Sequence, residues 1–508
     1  MSNFNRFGLG QTTTVFDQFC GAGGSSSGAT QLGMNVVYAV NHSEIAIATH
    51  SKNFPGTAHD LADISKTNPR RYKGTSLLIT SPECDKHTSA SGIKRAGQPD
   101  LFGDTEINED ADRSRATAWD VVRFAEVHNY AAIVVENVHQ FHDWILFPIW
   151  LDALRKLGYE YQVVYMNAMF AHMDPARVAR RGDFVPQSRD RMFVVLWKKG
   201  MRAPDLAFHP KAFCEHCGVD VDAVQSWKKH DRQWGKWGLK GQYFYRCPTC
   251  TEVVTPYYYA AANILDWQIP IQRIGDRAKP LLPKTMDRIQ AGIDRYWASQ
   301  DIAGPAGLIV PTDHDKRQAE SVWEHLPTQT THQSLGLVMP TLVTMRATDG
   351  TSKNARGYYR VQPVTDALPT QVAAATQTWM LGLPFLALFR NHQDASRIDD
   401  PLYTVTAGGI HHGLIVTYNG NSVAKGIAES LPTVTTVDRH SLIITSERPE
   451  IDDCLFRMLT PAECALAQSF PDDYIILGNK REQVEQIGNA NPPRLMSAIL
   501  ERVAPILQ

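Results

Sequence analysis

The chain has 508 residues, a formal net charge of −2 and 43 % apolar residues, a composition that suits a globular protein of two or three domains. No apolar run approaches the roughly 20 residues needed to cross a bilayer, and the polar start lacks the apolar segment of a signal peptide. Four of the eight cysteines lie in two Cys-x-x-Cys pairs, which favours a reducing compartment with one metal site over a disulfide framework. The sequence therefore predicts a cytoplasmic protein without a membrane segment.

The N-terminal part of the chain alternates strand-like and helical patterns. Residues 13–20 read as a strand, and residues 21–28 form a glycine-rich turn that leads into a helical pattern. Such a turn lets a backbone come close to a ligand, although one glycine-rich turn alone is a weak signal. Residues 35–40 predict a second strand ending at Asn41, and Asp63 follows a presumed third strand. This alternation indicates a doubly wound α/β domain with a parallel sheet.

A cysteine and a glutamate follow two further apolar runs. Residues 77–80 lead to Cys84, and residues 131–138 contain Glu136 near their end. A thiolate is a nucleophile, so Cys84 is either a reactive group or an inert half-buried cysteine. Glu136 is either a functional carboxylate or a solvated strand end. Because ligands bind beyond the carboxyl ends of parallel strands, these side chains should converge on one crevice: Gly23, Asn41, Asp63, Cys84 and Glu136.

Two arginines, Arg189 and Arg191, come just before a strand that runs to residue 196. A spacing of two places both on the same side of an extended segment. They mark either a binding site for an anionic or polar group or a solvated basic edge.

Taken in order, these motifs carry a family resemblance. They are Phe19-x-Gly21-x-Gly23-Gly24, Pro82-x-Cys84, Glu136-Asn137-Val138 and Gln187-x-Arg189-x-Arg191, and then Gln468-Ser-Phe-Pro-Asp472 and Gly488-Asn489-Ala-Asn491-Pro-Pro493. The ordered set resembles the motifs of the cytosine-C5 DNA methyltransferases, over residues 13–198 and 455–508. The resemblance implies a Rossmann-like class I methyltransferase domain with a mostly parallel sheet.

The resemblance also implies a reaction and its residues. The expected activity is sequence-specific methylation of carbon 5 of a flipped cytosine, with Cys84 attacking carbon 6. Glu136 would hold and protonate the N3 edge, and Arg191 would hold the O2 oxygen. Arg189 belongs to the same catalytic motif and would support the loop or a phosphate.

The implied cofactor is S-adenosylmethionine. It would lie on Phe19, Gly21, Gly23 and Gly24 with Asn41 and Asp63, and Asn489 would return from the C-terminal part. The chain departs from the usual family pattern at four positions, where it has Asn41, Glu83, Asp85 and Asn491.

The implied partner is double-stranded DNA, bound by a monomer. Two alternatives are an RNA cytosine-C5 methyltransferase with the same catalytic fold and a catalytically silent DNA-binding relative. The carboxylates of Glu83 and Asp85 beside Cys84 keep the second alternative open, because they should raise the pKa of the thiol.

Two cysteine pairs predict a structural zinc site of the zinc-ribbon type within residues 210–256. The ligands would be Cys214 and Cys217 with Cys247 and Cys250. Between the pairs, residues 227–240 mix basic and aromatic side chains. This mixture suits phosphate contact with stacking, or aromatic packing under a solvated basic face.

A repeat follows the cysteine pairs. Leu-x-Thr motifs begin at Leu326, Leu368, Leu402 and Leu431, and each precedes a predicted strand. These strands suggest a β platform whose polar loops begin at Arg346, Arg390 and Asn419. The expected organisation is a catalytic domain at 1–198, an inserted mixed β target-recognition domain with the zinc module at 199–450, and a catalytic return at 451–508.

Overall fold

A computed structural model describes residues 13–82, 109–172, 182–259, 261–266 and 455–507, with shorter stretches between 269 and 453. For residues 109–116 and for the strands between 308 and 445, only the backbone is described. Within these ranges, no helix combines the length and the apolar character needed to span a membrane.

The chain divides into two compact units. The first comprises Met1–Tyr259, Pro327–Gln333 and Pro461–Gln508, and the second comprises Ala260–Leu326 and Ser334–Thr460. Residues 199–259, which the sequence analysis assigns to the recognition domain, therefore lie in the first unit. The C-terminal return begins at 461 in this division, whereas 451 was expected.

A seven-stranded sheet forms the centre of the first unit. Its strands lie in the order β3, β2, β1, β4, β5, β7, β6. The first five strands in this order, from β3 to β5, pair in parallel. β7 is antiparallel to both of its neighbours, β5 and β6. The predicted mostly parallel sheet is confirmed. The bounds are β1 Thr14–Gln18, β2 Asn35–Asn41, β3 Ala58–Leu61, β4 Leu77–Thr80, β5 Ala132–Asn137, β6 Tyr159–Asn167 and β7 Asp190–Lys198.

Helices cover both faces of the sheet. The α-helices are α1 Gly24–Gln31, α2 Glu44–Asn53, α3 Glu109–His128, α4 Phe147–Lys156, α5 Pro461–Ala467, α6 Lys480–Asn489 and α7 Pro493–Val503. One hydrophobic cluster joins α1 and α7 to one face, and another joins α3 and α4 to the other. All residues of β4 and β5 are buried because both faces are covered, which explains their nearly continuous apolar sequence. Short 3-10 helices lie at Ile64–Lys66, Pro69–Arg71, His139–Asp143, Ala168–Phe170 and Ala504–Ile506.

Five short strands surround the two cysteine pairs within residues 211–254, which are called here the zinc-ribbon segment after the predicted metal site. Lys211–Cys214 pairs with Val219–Asp222, while Tyr243–Arg246 pairs with Val224–Trp227 and with Val253–Val254. Tyr243 and Tyr245 belong to the same hydrophobic cluster as Phe170 and Met192 of the catalytic sheet region. This shared core is the physical reason that the segment belongs to the first unit.

The described part of the second unit contains mainly β-strands. An antiparallel five-stranded sheet runs in the order Gln272–Arg273, Leu455–Met458, Leu335–Val338, Leu308–Pro311 and Glu320–Ser321. Leu342–Arg346 pairs with Arg360–Gln362 and Thr376–Trp379, Phe385–Leu386 with Ser396–Arg397, and His412–Thr417 with His440–Thr445. Short 3-10 turns lie at Ala261–Ile264, Ile274–Asp276 and Ile451–Asp453. Arg346 ends a strand, whereas Arg390 and Asn419 lie outside the described residues.

The first and last helices of the first unit approach each other closely. A Cβ atom on Gly28 of α1 would lie 2.6 Å from the Pro493 carbonyl oxygen and 2.9 Å from the Met496 Cβ of α7. A Cβ on Gly24 would collide with the Asn491 carbonyl oxygen. Glycine therefore allows the C-terminal segment to complete the N-terminal domain.

We predict that Gly28→Ala destabilises the protein, although alanine favours an isolated helix by about 1 kcal/mol over glycine. The collision with α7 should dominate and lower the free energy of unfolding by about 1 to 3 kcal/mol, the usual cost of overpacking. Urea denaturation would measure the change. Gly74→Ala is the control because a Cβ there meets nothing within 4 Å. A more stable Gly28→Ala variant would contradict the predicted close packing.

Candidate active site and metal centre

The carboxyl ends of the five parallel strands lie at one edge of the sheet. Phe19, Asn41 and Glu136 stand at or just beyond the ends of β1, β2 and β5, and Asp63 follows β3 by two residues. The structure thus brings these predicted site residues to the same edge. Cys84 lies outside the described residues, but Pro82, two residues before it, is described.

The glycine loop after β1 has an unusual backbone. Phe19, Gly21 and Gly23 have φ values of 57°, 51° and 90°, in the left-handed region that favours glycine. A Cβ on Gly23 would lie 2.8 Å from the Phe54 ring and would also collide with the Tyr474 hydroxyl. Tyr474 also donates a hydrogen bond to the Ala22 carbonyl. The C-terminal segment therefore helps to fix the shape of this loop.

A buried polar chain lies beneath the glycine loop. The Ser26 hydroxyl donates to the Asp17 carboxyl group at 2.6 Å, and its oxygen lies 2.9 Å from His50 Nε2. His50 Nδ1 lies 2.8 Å from His59 Nε2. Burial raises the pKa of Asp17 to about 7 and lowers the pKa of His50 to about 3, so both groups favour their neutral forms.

Sequence reasoning missed this chain of residues. Asp17 had a detectable signal, because it is a carboxylic acid that directly follows the apolar residues Val15 and Phe16 within strand β1. Ser26 and His50 had none, since they meet Asp17 only after α1 and α2 have packed against the sheet.

Asn41 and Asp63 use part of their side chains to shape local turns. The Asn41 Oδ1 atom accepts a bond from the Ser43 amide at 2.9 Å, which leaves the carboxamide nitrogen as the donor that Asn41 can offer. Asp63 Oδ1 accepts from the Ser65 amide at 3.1 Å, and Oδ2 pairs with Lys66 at 3.1 Å. The Asp63 carboxylate therefore caps a 3-10 helix at the edge of the crevice.

A glutamate and an arginine form an ion pair at the edge of β5 and β7. Arg191 Nε lies 2.8 Å from Glu136 Oε1, and both side chains are at most 10 % exposed. The Arg191 Nη1 atom also donates to the Asp190 carbonyl at 2.9 Å. Asn137, next to Glu136, donates to the Pro82 carbonyl at 3.2 Å. These contacts connect the acidic loop to the basic strand and to the residue that leads toward Cys84.

Arg189 has a different environment. Its guanidinium is buried and donates to the carbonyl oxygens of Gly488 at 2.9 Å and Ala490 at 3.1 Å. Asn489, between these two residues, has an exposed side chain. Arg189 thus positions the segment that carries Asn489, and its assignment to the catalytic set stays a prediction.

Four cysteine sulfurs converge in the zinc-ribbon segment. The Sγ atoms of Cys214, Cys217, Cys247 and Cys250 all lie within 4.8 Å of one another. The sulfurs of Cys214 and Cys250 lie 3.4 Å apart, and those of Cys217 and Cys247 lie 3.9 Å apart. Both distances are close to the roughly 3.8 Å expected between thiolates around a tetrahedral zinc. Each Cys-x-x-Cys turn is closed by an amide bonded to the carbonyl of its first cysteine. The donor set and its geometry therefore fit zinc.

The sheet order and the polar groups along its carboxyl edge define a class I methyltransferase fold. The chain matches the C-5 cytosine-specific DNA methylase family over residues 13–216 and 389–504. Because this match covers more than half of the sequence, the chain belongs to that family. The family resemblance predicted from the motifs is confirmed.

Individual relatives match over shorter stretches. A type II methyltransferase of Haemophilus parahaemolyticus is 55 % identical over 47 residues, which is 9 % of this chain and 13 % of that protein. A type II methyltransferase of Herpetosiphon aurantiacus is 27 % identical over 192 residues, 36 % of this chain and 37 % of that protein. The chain therefore spans well under half the length of these relatives.

Solved structures similar to this chain include a mutant of DNMT2 from Spodoptera frugiperda. The match covers 98 % of this chain and 99 % of that one, with 12 % identity and a TM-score of 0.45. A methyltransferase of Entamoeba histolytica covers the same share of this chain with 12 % identity and a TM-score of 0.44.

We predict that Asp17→Asn changes how stability depends on pH. Burial raises the folded pKa of Asp17 from 3.8 to about 7, so the folded protein keeps a proton that the unfolded chain releases. The stability from this group is complete below the unfolded pKa and is lost as pH rises to the folded pKa. From about pH 5 to about pH 8, the free energy of unfolding of the variant should rise by roughly 2 to 3 kcal/mol relative to that of the wild type.

Urea denaturation at both pH values would measure this difference. Asp152→Asn is the control, because Asp152 is exposed on α4. An Asp17→Asn variant whose offset from wild type is the same at both pH values would show that Asp17 is already ionised.

Proposed function

We propose that this protein is a sequence-specific DNA cytosine-5 methyltransferase that acts through a covalent Cys84 adduct. The observation that carries the proposal is the Glu136–Arg191 ion pair of 2.8 Å at the carboxyl edge of the sheet. Asn137 links this pair to Pro82, which lies two residues before Cys84. Family membership supports the reaction class.

The glycine loop suits S-adenosylmethionine. The positive φ values of Gly21 and Gly23 let the backbone approach a ligand, and α1 begins immediately after them. Bound there, S-adenosylmethionine supplies an electrophilic methyl group. The residues that would hold it are Phe19, Gly21, Gly23, Gly24, Asn41, Asp63 and Asn489. Asn41 would serve the ribose as an amide donor, since its oxygen is bonded to the Ser43 amide.

The protein residues would activate the base. Carbon 5 of cytosine is a poor nucleophile until a thiolate adds to carbon 6 and pushes electrons into the ring. Cys84 would form this bond, while Glu136 protonates N3 and Arg191 holds the O2 oxygen. Once carbon 5 has accepted the methyl group, a base would remove the carbon 5 proton and the bond from carbon 6 to sulfur would break, which releases the Cys84 thiolate. Loss of the proton from N3 would then restore the neutral aromatic ring. The cytosine must leave the duplex for this chemistry, because a stacked base offers no open face.

The second unit would supply sequence selection, and duplex DNA would be the substrate of a monomer. The β strands of the second unit would present polar loops to base edges, and Arg346 stands at the end of one of these strands. The type II relatives favour a role beside a restriction enzyme. An RNA substrate or a silent DNA-binding role remains an alternative outcome for the trapping experiment below.

We further propose that the four cysteines hold one structural zinc ion. Cys214 and Cys247 are buried, and the strands around them are only two to four residues long. In such a segment, the free energy of metal binding contributes directly to folding.

Covalent trapping tests the proposed reaction. DNA with 5-fluorocytosine at the target position should form a stable adduct in the presence of cofactor, because fluorine cannot leave as a proton. Cys84→Ala should abolish the adduct. Glu136→Gln keeps the shape of the side chain but removes the acid, so methyl transfer should fall by about 10² to 10⁴ with DNA binding largely retained.

An adduct that persists in Cys84→Ala would refute the nucleophile. A loss of DNA binding in Glu136→Gln as large as the loss of methylation would mean a structural role. Adducts with RNA alone would identify the RNA alternative, and cofactor and DNA binding without any adduct would identify the silent one.

Metal analysis tests the zinc site. The purified protein should hold one zinc ion per chain, and Cys247→Ser should release it and lower the melting temperature. Ser226→Ala in the same segment is the control and should retain the metal. Folded and active protein without zinc would contradict the prediction.

A further inference from the structure

The segment between two strands of the zinc-ribbon region carries a dense positive charge. Residues 228–241 contain five lysine or arginine residues and one aspartate, in a chain whose net charge is −2. Arg232, Lys236 and Lys240 are all exposed. The charge is therefore concentrated on one surface segment of the first unit.

This segment is held in place by aromatic and backbone contacts. Trp234 stacks on His142 with ring centroids 4.6 Å apart and an interplanar angle of 14°. Trp237 packs edge-on against Phe170 at 5.2 Å. Lys228 Nζ donates to the carbonyls of Gly238 and Leu239, which ties the two ends of the segment together. These contacts fix the conformation of the segment, which a basic surface exposed only to solvent would not require.

A hydrogen bond connects the segment to β7, the strand that carries Arg191. The Trp237 amide donates to Asp190 Oδ1 at 3.0 Å, and Asp190 precedes Arg191 in β7. Lys236 is next to Trp237 in the sequence, so it lies close to the strand that carries Arg191. His139, three residues after Glu136, independently supports the closeness of Lys236 to Arg191. Burial, and then the charges of Lys236, Arg191 and Arg232, lower its pKa to about 4.

We propose that residues 228–241 bind the DNA phosphates that flank the flipped cytosine. The proposal rests on the proposed function, because a nucleotide that rotates out of the duplex carries its backbone to the mouth of the active site. Cations fixed beside that mouth can neutralise this backbone, whatever the base sequence. The zinc-ribbon segment then contributes affinity near the reacting base, and the second unit contributes sequence selection.

Arg232 is suited to this task by its neighbour. Its guanidinium carbon lies 4.2 Å from the centroid of the Trp234 ring, which orders the side chain while leaving it exposed. An arginine ordered in this way loses less conformational freedom when it binds a phosphate.

The test compares two triple variants of the full-length protein. Arg232→Gln, Lys236→Gln and Lys240→Gln remove charge from the segment. Lys73→Gln, Arg155→Gln and Lys199→Gln remove the same charge from exposed positions at the opposite, amino edge of the sheet. The sequence that the wild-type protein methylates in an expressing cell would first be identified. Binding to a duplex that contains this sequence would then be measured by fluorescence anisotropy across a salt series.

The segment variant should bind at least about tenfold more weakly at low salt, and the slope of log K against log salt should fall by about 2 to 3. Its zinc content, its affinity for S-adenosylmethionine by calorimetry and its methylated sequence should match wild type. The control variant should keep the wild-type affinity and slope. The single variants Lys236→Gln and Lys240→Gln should each lower the slope by about 1, which provides a second measurement if the triple variant folds poorly.

Equal affinity and slope in the two triple variants would overturn the proposal, and so would an altered methylated sequence in the segment variant. A loss of affinity for an RNA hairpin alone would overturn the assignment to DNA. Wild-type protein that neither traps 5-fluorocytosine DNA nor binds cofactor would refute the proposed function instead, so the two failures can be distinguished.

Discussion

Three consecutive residues, the one before β7 and the first two of β7, connect separate segments of the first unit. Arg189 binds the carbonyls of Gly488 and Ala490, Asp190 accepts the Trp237 amide, and Arg191 pairs with Glu136. Successive side chains of an extended segment point to opposite faces, so Asp190 can reach the zinc-ribbon segment while Arg191 stays beside Glu136. One short stretch therefore connects the C-terminal segment, the zinc-ribbon segment and the acidic loop.

Because these groups are buried, each needs its partner for the first unit to be stable. Burial raises the pKa of Asp190, and the Trp237 amide and nearby cations offset part of this rise, so that the pKa lies at about 6. Removal of one partner would leave a buried donor, acceptor or charge unpaired, which costs more than the net gain of the bond itself. The antiparallel pairing of β7 with both β5 and β6 fixes the backbone from which all three side chains extend. This rigidity suits a site where small displacements of reacting groups reduce the rate strongly.

The glycine loop imposes a second constraint. Tyr474 contacts this loop, and Asn491 approaches Gly24 so closely that a side chain there would collide. The cofactor crevice proposed here therefore cannot form from residues 13–198 alone. Its shape depends on a segment that lies hundreds of positions later in the chain, within the second matched part of the family, residues 389–504.

Local patterns in the sequence were enough to predict the family, the central strands and the four cysteines whose sulfurs converge. These features have local signals: the apolar runs of β4 and β5, the glycines that tolerate positive φ, and the spacing of Cys214, Cys217, Cys247 and Cys250. The resemblance already implied different roles for Arg189 and Arg191, but their partners came from the three-dimensional structure, in which Arg189 binds backbone carbonyls and Arg191 pairs with Glu136. The structure alone joined Asp17 to His50 and placed residues 199–259 with the catalytic sheet, because aromatic side chains such as Trp234 could equally have packed within their own small core. Partners distant in sequence are chosen by packing and by the direction of each side chain, and neither is written in the local pattern of residues.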